Sequence, residues 1–263
     1  MKLLTLNVHA WLEDNQLEKI DTLARAIADN DYDVIALQEV NQTITAEIVE
    51  NNLKKDNYLF VLLEFLKKYT DTTYKYFWSN SHIGYDKYDE GIAILTKHNA
   101  SYDEFYCTKI TDINSIEARK IVSASFSYEG ESVEFYSCHI NLPTSKKENQ
   151  LDNITNIISR TTDNKLKFFM GDFNTDALSN KQAYTNILNL GIYDTYNLAE
   201  EKCSGVTVGH NIDGWKDSKG EKRLDYIFTN RLIDVEYSKV IFNGYNYNVV
   251  SDHYGLEIRI KIK

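Results

Sequence analysis

The first forty residues limit the fold more than any other stretch. Residues 2–8 form an apolar run that reads as a strand and ends at Asn7-Val8-His9. Leu17, Ile20, Leu23, Ala24, Ile27 and Ala28 then recur at the spacing of one helix face. Residues 33–38 are a second buried run, ending in Gln38-Glu39. A strand, an amphipathic helix and a strand in that order argue for a parallel pair joined by a crossover.

The remaining pattern extends this start. A helical region is expected over 52–69, with Leu59, Leu62, Leu63 and Leu66 inward. Strands follow at 73–79, 91–96 and 102–108, with a polar aromatic loop over 80–90. Residues 119–128 and 132–139 read as a hairpin joined by Glu129-Gly130-Glu131, its second arm ending in His139-Ile140-Asn141 and closed by Pro143. A helix is expected over 144–161, with Leu151, Ile154, Ile157 and Ile158 inward. An apolar run, 166–170, delivers Gly171-Asp172-Phe173-Asn174. A helix over 180–190, a long polar loop over 200–222, and strands at 224–229, 235–242 and 254–262 complete the chain. Ser251-Asp252-His253 precedes the last strand. No linker, repeat or low-complexity block interrupts residues 1–263, so one α/β domain is expected, with two sheets packed face to face and helices outside.

Composition narrows the class. Hydrophobic content of 43% with 26% charged residues is that of a soluble globular chain. No run is long enough to span a bilayer, and residues 1–7 lack the apolar core of a signal peptide, so the expected location is the cytoplasm. Cys107, Cys138 and Cys203 are widely spaced and odd in number, which suits reduced thiols. The formal net charge of −10 argues against a grip on a nucleic acid backbone. The short basic pairs Lys54-Lys55, Lys67-Lys68 and Lys146-Lys147 read as solvated helix surface. The sequence leaves the oligomeric state open.

The chemistry collects at strand ends: Asn7, Glu39, His139, Asp172 with Asn174, Asp225, and Asp252 with His253. Asp172 and Asn174 are two residues apart, so an extended backbone turns both to one face. An oxygen-rich set with few nitrogens suits magnesium or manganese better than zinc. Leu6-Asn7, Gln38-Glu39, His139-Ile140-Asn141, Gly171-Asp172-Phe173-Asn174, Arg223-Leu224-Asp225-Tyr226-Ile227-Phe228 and Ser251-Asp252-His253, in that order along the whole chain, resemble the endonuclease/exonuclease/phosphatase superfamily of metal-dependent phosphoesterases. The resemblance implies a four-layer αββα sandwich with the site at one end. It implies Glu39 as the main magnesium ligand, supported by Asn7 and Asp252. It further implies His253 as general base oriented by Asp225, Asp172 positioning the attacking water, and Asn174 and His139 donating to phosphate oxygens. His139 is also placed to assist the leaving group. His9 stands where some relatives carry an acid, and Glu90 where an acid pairs with the histidine equivalent to His139.

The substrate must be read from the variable loops. Residues 79–90 and 205–222 hold His82, Tyr85, Tyr88, His210, Asn211, Asp213 and Trp215. Aromatic faces beside carboxylates and amides suit a sugar, and equally a packed loop anchored by Trp215. Arg119 is a candidate phosphate clamp, because arginine binds oxyanions in a bidentate manner. The expectation is a magnesium-dependent phosphomonoesterase acting on a small phosphorylated metabolite, with Arg119, His210 and Trp215 as substrate contacts. Within the superfamily, the Asn-Ile-Asp-Gly-Trp loop looks most like that of the bacterial maltose 6'-phosphate phosphatases. A DNA or RNA phosphodiesterase, a sphingomyelinase-like lipid phosphodiesterase and a binding module without catalysis are the alternatives.

Overall fold

A computed structural model of the chain describes residues 1–160, 164–209, 212 and 220–262. In chain order the first half comprises β1 (Lys2–Asn7), α1 (Gln16–Asn30), β2 (Val34–Gln38), β3 (Gln42–Thr43), β4 (Ile48–Glu50), β5 (Leu53–Lys54), α2 (Tyr58–Leu66), β6 (Lys75–Gly84), β7 (Tyr88–Thr96) and β8 (Ser101–Tyr106). The second half comprises β9 (Lys120–Tyr128), β10 (Glu131–His139), α3 (Gln150–Ser159), β11 (Leu166–Asp172), α4 (Lys181–Leu188), β12 (Tyr193–Asp194), α5 (Thr195–Leu198), β13 (Ala199–Lys202), β14 (Asp225–Thr229), β15 (Asp234–Ile241) and β16 (Gly255–Lys261).

Two mixed sheets carry the fold. The first runs β13-β15-β16-β1-β2-β7-β3, with β6 also on β7; the second runs β12-β14-β11-β10-β9-β8. The β1–β2 pair is parallel, as the strand–helix–strand start requires, and so is β10–β11. Alternation along each strand sends side chains to two different cores. Leu3, Val34, Ala36 and Ile94 of the first sheet meet Val122, Phe135, Phe168 and Met170 of the second. The Phe135 and Phe168 rings stack there at 5.0 Å. Leu4, Leu6, Ile35 and Leu37 point outward to Ile20, Leu23 and Ile27 of α1 and Leu59 and Leu62 of α2. On the far side, Tyr136, Phe169 and Phe228 pack on Ile154 and Ile157 of α3 and Ile187 of α4. Helix, sheet, sheet and helix are therefore the four layers of an αββα sandwich.

Several expected bounds shift for local reasons. The helix expected over 52–69 spans Tyr58–Leu66, because Asn57 caps it by accepting from Leu59 N at 2.9 Å. The segment before it is pinned by the Gln42 side chain, which accepts from Lys54 N at 2.9 Å. Lys54 is not solvated helix surface: it is buried in β5 with Nζ 2.6 Å from Asp89. The helix expected over 144–161 spans Gln150–Ser159, starting where Asn149 accepts from Asp152 N at 3.1 Å. Residues 80–90 are mostly hairpin rather than loop, with His82 opposite Glu90 and Gly84 opposite Tyr88. Their polarity serves a buried network instead of solvent. The loop expected over 200–222 opens in β13, which pairs in parallel with β15. All three cysteines are free. Among the described residues, no helix is long and apolar enough to cross a membrane.

Candidate active site

Strand direction brings the polar ends together. The parallel pairs place Asn7 beside Gln38 and His139 beside Asp172 at one edge of the sandwich. Strands β14 and β16 run antiparallel to β11 and β1, so they begin at that same edge. Asp225 consequently sits opposite Asp172, and His139, Asp172 and Asp225 lie in register across three strands. Gly171 permits this alignment. Its φ is +147°, and a Cβ there would stand 1.9 Å from the Cys138 carbonyl oxygen. Below the site, Gln38 Nε2 donates to Ser137 Oγ at 3.0 Å and ties the two sheets together.

The centre of the site is a triad. His253 Nδ1 lies 2.9 Å from Asp225 Oδ2, and its Nε2 faces Asp172 Oδ2 at 3.8 Å. All three side chains are buried. Burial works against the charged imidazolium, but Asp225 and Asp172 outweigh it and raise the His253 pKa well above its ordinary value. Burial, with Asp225 adding to it and His253 opposing, pushes Asp172 up to about 7. Asn174 adopts left-handed backbone, φ 50°, which its residue type tolerates. Its N–H donates to Asp172 Oδ1 at 2.8 Å and its Nδ2 to the Ile140 carbonyl at 2.9 Å.

The carboxylate side is built around Glu39. Asn7 Nδ2 donates to Glu39 Oε1 at 2.8 Å and approaches Asp172 Oδ2 at 3.4 Å. Asn7 Oδ1 accepts from His9 N at 3.1 Å, so Asn7 meets Glu39 through its nitrogen and holds the carboxylate. Burial, then Glu90 and Asp252, push Glu39 up to about 8. His9 lies beside Asp252, its Nδ1 3.8 Å from Asp252 Oδ1 and 2.6 Å from Glu13 Oε1. His9, Glu13 and Asp252 offer ligand atoms within 4.8 Å of one another, as do Asp172, Asp225 and His253. Crowded carboxylates whose burial disfavours their charge, offering hard oxygens, fit a divalent cation such as magnesium or manganese.

His139 closes the site from the second sheet. Its Nε2 is 3.8 Å from both Glu39 Oε1 and Asp172 Oδ2. Its Nδ1 is 3.4 Å from Arg119 Nη1, which is also 3.4 Å from Glu90 Oε1. Glu90 itself stands 3.9 Å from His139 Nδ1 and 3.3 Å from His82 Nε2. Burial, and the positive charge of Arg119 and neighbouring histidines, hold the His139 pKa well below its ordinary value. Burial thus favours the neutral imidazole, and with an Arg119 N–H facing Nδ1 the tautomer that satisfies both ring nitrogens carries its hydrogen on Nε2, toward Glu39 and Asp172.

Asn7, Glu39, His139, Asp172, Asn174, Asp225, Asp252 and His253 thus converge, and Arg119 reaches the same site from behind His139. His210 and Trp215, with Asn211 and Asp213, lie outside the described residues. Three supporting contacts escaped the sequence reading. Ser251 Oγ donates to the Asn7 carbonyl at 2.6 Å. Gln150 Nε2 donates to the Asn141 and Asn174 carbonyls at 2.6 and 3.2 Å. Arg223 pairs with Asp194 at 2.6 Å. Ser251 and Arg223 stand in the motifs, but their partners are set by packing; Gln150 and Asp194 carry no local signal.

An αββα sandwich with a buried Asp–His–Asp set beside a carboxylate group defines a phosphoesterase site. The family model described as Endonuclease/Exonuclease/phosphatase family matches residues 10–253, and the chain belongs to that family. It is accordingly a metal-dependent phosphoric ester hydrolase. It is similar to the structure of an endonuclease/exonuclease/phosphatase family protein from Leptotrichia buccalis, with 54% identity, full coverage of both chains and a TM-score of 0.95. A mannosyl-6-phosphatase of Bacteroides thetaiotaomicron shares the fold at 17% identity, full coverage of both chains and a TM-score of 0.74. Truncated TDP2 of Caenorhabditis elegans does so at 16% identity, covering 99% and 97% of the two chains, with a TM-score of 0.62. No curated protein matches.

Proposed function

We propose that the chain is a cytoplasmic phosphomonoesterase of one domain, residues 1–263, that hydrolyses a small sugar phosphate such as maltose 6'-phosphate with magnesium, or manganese, at Glu39 and Asp252. The observation that carries the reading is the His253 environment. Its Nε2 and Asp172 Oδ2 stand 3.8 Å apart, so that one attacking water can hydrogen-bond to both, while Asp225 holds the other ring nitrogen at 2.9 Å. In this reading Asp172 orients that water and His253 Nε2 takes its proton as oxygen attacks phosphorus. Asp225 steadies the resulting imidazolium. The Nε2–H of neutral His139 and the Asn174 amide donate to phosphoryl oxygens. The phosphorus–oxygen bond to the sugar breaks, and the departing alkoxide takes a proton from a solvent water to leave as alcohol, the balance being restored when His253 gives its captured proton back to solvent. The bound cation, when present, supplies positive charge against the phosphate. Arg119 acts through His139, since its guanidinium already serves His139 and Glu90.

The substrate class rests on charge and on a structural neighbour. Net charge of −10 disfavours a nucleic acid partner, and no membrane partner is proposed. The mannosyl-6-phosphatase that shares the fold acts, by its name, on a phosphorylated sugar. The test is phosphate release, with added magnesium, from maltose 6'-phosphate, glucose 6-phosphate, mononucleotides, a phosphodiester dye and abasic DNA. Selective turnover of a sugar phosphate is expected. Cleavage confined to diesters or DNA overturns the substrate class and leaves the site intact.

A further inference from the structure

Of the three aromatic residues that positions 79–90 offer to a sugar, the structure buries two. His82 and Tyr88 are buried at 2% and 4% exposure within the β6–β7 hairpin. Tyr85, at the tip, is 67% exposed. The tip is placed with some care. Lys87 N donates to the Gly84 carbonyl at 3.1 Å, closing a turn around Tyr85 and Asp86. Both turn residues have positive φ, 54° and 53°, where hairpins ordinarily use Asn-Gly. A tyrosine therefore occupies a position at which its residue type is disfavoured by the backbone.

The hairpin tip abuts the site. A Cβ on Gly84 would stand 2.8 Å from Glu90 Oε2, and Glu90 Oε1 is 3.9 Å from His139 Nδ1. The hairpin is also tied down one residue earlier, where Ile83 N donates to the Ile113 carbonyl at 2.7 Å. Partial desolvation and the field of Glu39, Glu90 and Asp252 raise the Tyr85 hydroxyl pKa. An exposed aromatic side chain carried on a hydrogen-bonded turn beside Glu90, at the edge of a polar site, offers the C–H face of a sugar ring a surface to lie on. A flexible chain gains less from such a surface.

We infer that Tyr85 is a specificity-determining residue, the face against which the ring of the phosphorylated sugar rests while its phosphate sits at His139 and Asn174. The inference rests on the sugar phosphomonoesterase reading. The test compares the magnesium-loaded wild type with Tyr85→Asn and Tyr85→Trp on glucose 6-phosphate and on glycerol 3-phosphate, which lacks a ring. Asparagine suits the left-handed turn, so Tyr85→Asn removes the ring and keeps the hairpin. Expected is a rise in KM for glucose 6-phosphate of about threefold to tenfold in Tyr85→Asn, the range of one aromatic contact. KM for glycerol 3-phosphate should stay level, and Tyr85→Trp should keep wild-type KM on both. Equal changes on the two substrates, or no change on either, overturn the inference while leaving the phosphatase reading in place. Wild type that turns over neither of these monoesters nor maltose 6'-phosphate overturns that reading and the inference with it.

Discussion

At the scale of single residues, His253 and its two aspartates decide whether the site works as described. Replacing His253 or Asp172 with alanine should lower kcat by about 10²–10⁴, the usual contribution of a positioned acid or base, with far-ultraviolet circular dichroism unchanged. Asp225→Asn gives a sharper test. Asp225 raises the His253 pKa, so its charge keeps the proton on the ring to higher pH. A base must lose that proton before it can act, so activity rises as pH climbs through the His253 pKa. Removing the charge should move the acid limb of the kcat/KM profile down by about 1–3 pH units and lower the plateau, because loss of a nearby opposite charge shifts a pKa by that amount. An unmoved limb would assign it to another group. These residues were legible in the sequence because each ends or begins a strand, where a polar side chain after an apolar run stands out. Arg119 was legible as a residue but not in its place. It opens β9, and only packing shows its guanidinium between Glu90 and His139.

At the scale of elements, two features hold the strand ends in register. Gly171 lets β11 approach β10, and Gly171→Ala should cost about 2–5 kcal/mol of stability from left-handed strain plus a clash with the Cys138 carbonyl. Urea unfolding measures it. The second feature is the Arg223–Asp194 pair, buried among the rings of Tyr184, Tyr196 and Tyr226. Arg223 immediately precedes the Leu224-Asp225 entry to β14, and Tyr226 Oη donates to its carbonyl at 2.6 Å. Arg223→Met should destabilise by about 3–5 kcal/mol, since it strands the buried Asp194 charge. A loss under 1 kcal/mol in the same urea measurement would show that the aromatic cage carries the turn without the ion pair. The sequence announced most strands and helix faces through periodicity. It mislaid residues 80–90, where buried polar side chains imitate a loop.

At the scale of the whole molecule, the sandwich gathers carboxylates that resist sharing one edge. Glu39 and Asp172 are both pushed up, chiefly by burial. A divalent cation should therefore raise the melting temperature, with a stabilisation of about 2.7 kcal/mol at a hundredfold excess over Kd. Glu39→Gln combined with Asp252→Asn should abolish the shift in differential scanning fluorimetry, and a chelator should reverse it in the wild type. No shift in the wild type would mean that the folded chain binds no divalent cation, and a shift that survives the double substitution would place the ion elsewhere. The sequence by itself determined the strand–helix–strand start, the alternation that builds two sheets, and the polar residues at their ends. Each of these follows from local periodicity and from side chains adjacent in the chain. The tertiary structure alone decided that His139, Asp172 and Asp225 stand in register, that Arg119 serves His139, and that the turn carrying Tyr85 abuts Glu90. Those relations join residues far apart in the chain, and strand direction and packing between sheets set them, which no local pattern encodes.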